Sequence, residues 1–268
     1  MTARARSFES GAAAYDELRP GYPDDLFADV IAYGSDGLGT GVLDVGAGTG
    51  KATVPLAARG LDVTALEPAE EMAQRLRTRA DEAGVGDRIR VRVAAFEDLG
   101  PADGPFGLIV AAQSFHWTDP ESRWQRLLEL LPTSGAAALF WNGWQFDGAA
   151  HDLDGVREVY GQLAPTLVPD LPERGPDRWP ADEIESTPGL VDTIERSYAW
   201  SWVLPVPDYF ALLSTTSQYA VASPRARADL FTALLPLLGD RVHLLGTTRL
   251  HLMRKGSAVD SRGGRATT

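Results

Sequence analysis

The chain has 268 residues, 44 % hydrophobic and 23 % charged, an ordinary balance for a folded globular protein. Its formal net charge of −12 argues against a nucleic-acid partner, and the lack of cysteine excludes disulfides, iron–sulfur ligation and a thiol nucleophile. No apolar run is long enough to predict a membrane span, and the opening stretch "MTARARSFESGAAAYDELRP" has no apolar signal core, so the expectation is a cytoplasmic enzyme with no membrane partner.

The N-terminal half alternates strand-like and helix-like segments. "GVLDVGAG" (41–48) is an apolar run broken by glycines, and "KATVPLAARG" (51–60) has helical spacing with Gly60 as its stop. "LDVTALE" (61–67) predicts a second strand. "AEEMAQRLRTRADEAG" (69–84) predicts a helix with acids in its first turn and arginines later. "RIRVRVAAF" (88–96) alternates with period two, and "FGLIVAAQ" (106–113) is a continuous apolar strand. In "DPESRWQRLLELL" (119–131) Asp119 is the expected N-cap of a helix, and "GAAALFWN" (135–142) is a fifth strand. The arginines at 75, 77, 79, 88, 90 and 92 fit solvated faces better than a basic patch. This alternation predicts right-handed crossovers and a parallel sheet with helices on both faces.

After Asn142 the pattern changes. A helix is expected over about 150–164, followed by the proline-rich "PTLVPDLPERGPDRWP", which forbids a long helix. Residues 190–204 read as a strand, 207–222 and 224–238 as helices, and 241–253 as a closing strand. The tail, 255–268, has a disordered composition.

"VLDVGAGTGK" (42–51) is the most informative stretch, because Gly46, Gly48 and Gly50 lie between a strand and a helix. A phosphate-binding G-x-x-x-x-G-K-[ST] loop fails at Val45 and at Ala52, and a dinucleotide G-x-G-x-x-G fails at Lys51. The acidic pattern D-x-G-x-G-x-G, beginning at Asp44, fits throughout.

That segment resembles the first motif of the class I S-adenosylmethionine-dependent methyltransferases. Within them it is similar to small-molecule members of the ubiquinone and trans-aconitate methyltransferase type. The resemblance covers 12–142 and implies a Rossmann-like α/β fold: a seven-stranded, mostly parallel sheet with helices on both faces. Family topology puts strands 190–204 and 241–253 at one edge, the last antiparallel. The segments 143–189 and 205–240 then form a helical cap over the carboxyl ends of the strands. One domain, 1–254, is expected. S-adenosylmethionine is the implied cofactor, and its sulfonium and ammonium suit an acidic strand end. Asp44, Gly46, Ala47 and Gly48 would pack under its methionine part, and Glu67 would accept from the ribose hydroxyls. Pro68, Met72 and Phe96 would lie at the adenine, with Glu97 or Asp98 accepting from its amine. "AAAYDELRPGYP" (12–23) resembles the family's N-terminal lid, which places Tyr15 and Arg19 at the donor and Tyr22 towards the acceptor.

Methyl transfer from a sulfonium is an in-line displacement that needs alignment more than a catalytic triad. "QSFHW" (113–117) stands where [DN]-P-P-[YFW] would mark DNA-adenine or protein-glutamine enzymes, which disfavours that chemistry. The histidines (His116, His151, His243 and His251) show no ligand spacing, so no metal is expected. The resemblance puts Gln113 beside the donor's methionine or methyl end. Phe115, His116, Trp117, Trp141, Asn142 and, from the cap, Tyr219 are then expected around a small-molecule acceptor. His116 is the candidate catalytic base, or a hydrogen-bond anchor for the acceptor. A tryptophan-rich rim suits an aromatic or cationic acceptor, whereas Trp200 and Trp202 share one strand face and read as packing. Three alternatives stay open: a non-methylating S-adenosylmethionine-binding protein, a nicotinamide oxidoreductase and an RNA methyltransferase. Monomer and homodimer are likewise both open.

Overall fold

The computed structural model describes residues 19–172 and 178–257, so Tyr15 and the tail from 258 onward lie outside the described residues. Helix α1 (Asp24–Gly34) follows Pro23 and carries Asp24 and Asp25 in its first turn, where acids complement the helix dipole. The alternation then proceeds through β1 (Val42–Val45), α2 (Thr53–Ala58), β2 (Val63–Leu66), α3 (Glu70–Glu82), β3 (Ile89–Arg92), β4 (Leu108–Ala112), α4 (Arg123–Leu130) and β5 (Ala136–Phe146). The C-terminal part comprises α5 (Leu153–Leu163), α6 (Ala181–Ser186), β6 (Leu190–Pro205), α7 (Val206–Ser214), α8 (Ser217–Ala220), α9 (Pro224–Leu238) and β7 (Arg241–Lys255).

The strands form one seven-stranded sheet in the order β3-β2-β1-β4-β5-β7-β6. Strands β1 to β5 are mutually parallel, and β7 runs antiparallel to both β5 and β6. The period-two rule of a strand explains the two cores. Leu43 and Val45 face a core that takes in Leu127 and Leu130 of α4 and Ile184 of α6. Val42 faces the opposite core with Leu26, Phe27 and Val30 of α1 and Leu56 of α2. Both faces being covered, β4 is the unbroken apolar run LIVAA. Each large side chain buried this way contributes about 1.5–3 kcal/mol.

A third core lies at the far end of the molecule. Phe146, Leu204, Val242 and Leu244, from the ends of β5 and β6 and the start of β7, pack with Val156, Tyr160, Leu212, Leu230 and Leu234 of the cap helices. Caps mark the helix starts: Asp152 accepts from the Gly155 amide ahead of α5, and Ser223 accepts from the Ala226 amide ahead of α9. Among the described residues, no helix is long and apolar enough to cross a membrane.

Several boundaries differ from the sequence expectation. Strand β3 stops at Arg92, because Phe96–Asp98 turn into a short 3-10 helix. Strand β5 continues past Asn142 to Phe146, because β7 pairs with it all the way. The helix expected over 207–222 divides at Thr215 and Thr216, whose hydroxyls donate back to the carbonyls of Leu212 and Leu213. Asp119 is not the N-cap of α4; Ser122 occupies that position, and Asp119 accepts from the Ser122 hydroxyl at 2.6 Å.

Tyr219, expected at the acceptor, is instead part of the cap core. It is fully buried, and its hydroxyl pairs with that of Tyr160. Tyr219→Phe strands the buried Tyr160 hydroxyl, so a destabilisation of about 1–3 kcal/mol is expected in urea unfolding. An unchanged midpoint would show that this pair does not hold the cap.

Candidate functional site

A cavity of about 300 Å3 opens at the carboxyl ends of β1, β2 and β4. Strand order reverses between β1 and β4, the position where ligands bind in open parallel sheets.

The floor is the glycine loop. Gly46 and Gly48 have φ of +66° and +56°, backbone that side chains rarely adopt. A Cβ on Gly46 would lie 2.6 Å from the Cβ of Ser114, whereas one on Gly48 would meet nothing within 4 Å. Gly46 is thus needed for close packing, and Gly48 leaves its backbone open to the cavity. The Ser114 hydroxyl donates to the Val45 carbonyl, tying the loop after β4 to the end of β1.

Glu67 holds the floor from the side. It accepts from the Gly48 amide at 2.8 Å on Oε2 and from the Ala69 amide at 2.8 Å on Oε1. Burial pushes its pKa up, while the two amide bonds pull the other way. Asp44 lies below, fully buried, and accepts from the Thr53 hydroxyl at 2.6 Å. Burial, reinforced by the Glu67 charge, pushes the Asp44 carboxyl up to about 7. Its Oδ1 is buried with no hydrogen-bond partner among the described residues.

The wall beyond β3 separates the two acids that the sequence left as alternatives. Asp98 accepts from the Ala95 amide at 2.9 Å, closing its own turn, and is absent from the lining. Glu97 lines the cavity and accepts from the Asp119 amide at 2.8 Å, joining the loops after β3 and β4. At the end of β4, Gln113 has φ of +55° while its amide donates to the Phe140 carbonyl at 2.9 Å. Such a conformation in a non-glycine residue costs about 1–3 kcal/mol and persists only where neighbours enforce it.

The turn Phe115–Trp117 forms the far wall. His116 accepts at Nδ1 from the Trp141 indole N–H, 3.1 Å away. One edge of the ring is open to the cavity, yet desolvation by the flanking side chains, with the Arg123 charge, holds its pKa below the ordinary 6.5. Lys51 donates to the Arg19 carbonyl at 2.9 Å, pinning the segment ahead of α1 beside the glycine loop. Among the described residues, no group of three or more His, Asp or Glu is placed to hold a metal ion.

Of the residues singled out from sequence, Arg19, Tyr22, Gly46, Ala47, Gly48, Glu67, Pro68, Met72, Phe96, Glu97, Gln113, His116 and Trp117 line this one cavity. Besides Asp98, five described residues do not. Asp44 lies under the loop rather than against the cavity. Phe115 is fully buried against Phe96 and Trp124, because its turn directs it into the sheet core. Asn142 donates to the Gly21 carbonyl at 2.9 Å and accepts from the Thr248 hydroxyl at 2.6 Å, so its polar atoms brace the sheet. Trp141 stands behind His116, and Tyr219 lies in the cap. The tryptophan-rich rim expected from sequence is therefore reduced at the cavity to Trp117. Sequence reasoning missed Ser114, Thr118 and the cap residue Thr216, which also line it. The Gly46–Ser114 contact spans strands distant in sequence, and nothing local marks Thr216.

Comparisons with known proteins agree with this geometry. Residues 42–135 match a family model described as a methyltransferase domain. An uncharacterized methyltransferase of Mycobacterium tuberculosis is 35% identical over 136 residues, 51% of this chain and 52% of that protein. A probable S-adenosylmethionine-dependent methyltransferase of Saccharomyces cerevisiae is 28% identical over 137 residues, 51% of this chain and 46% of that protein. The matched stretch thus spans about half the length of these relatives. In fold, the chain is similar to a candidate type II methyltransferase from Anaeromyxobacter dehalogenans (TM-score 0.60, 24% identity, 88% of this chain and 97% of that one). It is also similar in fold to a Haemonchus contortus phosphoethanolamine N-methyltransferase in complex with S-adenosyl-L-methionine (TM-score 0.54, 16% identity, 96% of this chain and 61% of that one).

The buried acid has a measurable consequence. Asp44 holds its proton more tightly folded than unfolded, so its contribution to stability is full below the ordinary 3.8 and lost as pH rises through about 7. Asp44→Asn keeps an acceptor for Thr53 and removes this titration. Urea midpoints measured from acid to neutral pH should fall less with pH in Asp44→Asn than in the wild type. Equal slopes would refute the assignment. Glu67, shifted in the same direction, retains the residual slope.

Proposed function

We propose that the chain is a member of the class I S-adenosylmethionine-dependent methyltransferase superfamily and that it transfers a methyl group from S-adenosylmethionine to a small-molecule acceptor. The observation that carries this reading is the paired hold of Glu67 on the Gly48 and Ala69 amides at the cavity edge. Those two bonds leave a spare lone pair on each carboxylate oxygen, which suits a pair of ribose hydroxyls. The open face above Gly48 accepts a ligand closely packed on backbone, and Phe96 and Met72 offer apolar surface for an adenine ring.

When bound, the sulfonium supplies an already activated methyl group, whose transfer leaves the bonding electron pair on sulfur. The protein's residues orient and desolvate. Glu67 and the glycine loop fix the nucleoside end. Arg19 is suited to a carboxylate through a bidentate pair, and Gln113 stands where the methionine end would lie. Tyr22, His116 and Trp117 face the acceptor, with Thr216 reaching down from the cap to exclude water. In this reading residues 1–254 form one domain, with 143–189 and 205–240 as its acceptor-side cap.

Isothermal titration should show S-adenosylmethionine and S-adenosylhomocysteine binding with one site each. Glu67→Gln should weaken both by about tenfold to a hundredfold, the worth of one or two hydrogen bonds to a charged acceptor. No binding by the wild type would refute the proposal. Binding without transfer of labelled methyl to any acceptor in a panel of phenols, carboxylic acids and amines would favour a non-methylating ligand-binding role instead.

A second variant tests the floor. Gly46→Ala drives a methyl group into Ser114 from backbone at positive φ. S-adenosylhomocysteine affinity should drop at least about tenfold, and the unfolding midpoint should fall. Unchanged affinity would mean that the loop shape is not what the ligand reads.

A further inference from the structure

His116 is the one imidazole on the cavity wall, and its partner is informative because that partner can only donate. The Trp141 indole has an N–H and no acceptor, and it points at Nδ1 of His116 over 3.1 Å. Nδ1 must therefore carry its lone pair. A neutral imidazole with a bare Nδ1 carries its proton on Nε2. The doubly protonated ring would set one N–H against another, and the nearby Arg123 charge opposes it further.

The rest of the wall keeps this arrangement in place. Trp141 packs edge-on against Trp179, with ring centroids 5.0 Å apart, and lies 6.2 Å from His251 on β7. The Trp179 indole donates to Glu183 at 3.1 Å, and Glu183 pairs with Arg123 at 2.6 Å. Trp141 itself does not line the cavity, so it acts from behind. Nε2 of His116 has no partner among the described residues, and the ring lies on the cavity wall beside Trp117.

We propose that Trp141 locks His116 in the Nε2–H tautomer, so that His116 offers the acceptor a hydrogen-bond donor and not a base. Trp141 is the positioning residue. The lone pair that could take a proton is already engaged by Trp141, which does not line the cavity. The acceptor class follows: a molecule that presents a lone pair to the His116 N–H and whose reacting atom arrives without a proton for His116 to remove. Identifying the partner as a methyl acceptor rests on the proposed function; the tautomer does not.

The test uses the full chain labelled with 15N-histidine. Long-range 1H–15N spectra at neutral pH should show the His116 Nδ1 as a bare, pyridine-type nitrogen and Nε2 as a protonated, pyrrole-type one. Contact of the ring protons with the Trp141 indole identifies the resonance, and His116→Gln, which deletes it, checks the assignment. A protonated Nδ1, or an imidazolium, overturns the proposal. In Trp141→Phe the donor is gone, so both nitrogens should shift towards the averaged values of a tautomer mixture. S-adenosylhomocysteine affinity should stay within about threefold, since Trp141 does not line the cavity. An unchanged spectrum in that variant overturns the locking role. If Trp141→Phe does not fold, the wild-type spectrum alone decides the tautomer. Titrating S-adenosylhomocysteine into the same wild-type sample separates the two ideas. Loss of that binding with Nε2–H intact sinks the methyltransferase reading, while tight binding with Nδ1–H sinks only this one.

Discussion

The site depends on one buried carboxylate. Glu67 ends the second strand of the sheet and grips two backbone amides, one on its own turn and one on the glycine loop of the neighbouring strand. A charge removed from water is costly unless hydrogen-bonded, and charge-assisted bonds are about twice as strong as neutral ones. The same bonds that make the burial of Glu67 tolerable therefore fix the loop. Everything nearer the cavity inherits that constraint. The left-handed glycines take their shape around it, and Ser114 closes on the gap that Gly46 leaves. Removing the charge would loosen the loop and the ligand surface together.

Electrostatics divides the cavity. Glu67, which is buried, and Glu97 line the side of the cavity beyond β2 and β3. Such a region favours a ligand with positive charge and disfavours a pyrophosphate. The opposite wall is aromatic, carried by a turn whose first residue, Phe115, anchors in the core while the next two face outward. Core packing thus aims His116 and Trp117, and the strain stored at Gln113 is supported by its backbone bond to β5.

The glycine-loop half of the cavity was legible in the sequence because its determinants are local. The acid and glycines of 44–50 sit on consecutive turns of chain, and Glu67 ends a strand whose apolar pattern is unmistakable. The parallel sheet followed from strand and helix alternation, and its antiparallel edge from family resemblance. The opposite wall was harder to read. An aromatic in "FHW" has no marking for inward or outward, and a 3-10 turn sends Phe115 one way and its neighbours the other. Asn142 looked like a rim residue only because the strand was expected to end there; pairing with β7 carries the strand on and turns the amide to bracing. Tyr219 is polar at one atom only, and the complementary atom comes from Tyr160 on another helix. Those outcomes are decided by contacts distant in the chain, which no local pattern encodes.

The long C-terminal strands have an architectural consequence. Strand β4 pairs with β5 only as far as Phe140, whereas β5 continues to Phe146 with β7 alone, and β6 accompanies β7 along the same overhang. A three-stranded ribbon therefore projects beyond the parallel sheet like a cantilever, and the cap helices are seated on its tip. The roof over the cavity is joined to the sheet through the backbone of these strands. Movement of the roof as a body would require the ribbon to twist, while the short break at Thr215 and Thr216 can shift by itself. The face that the ribbon buries, through Phe146, Leu204, Val242 and Leu244, is matched to the helices it carries. A change of helix in the cap must keep apolar side chains against the ribbon tip, while the glycine-loop floor lies outside that contact.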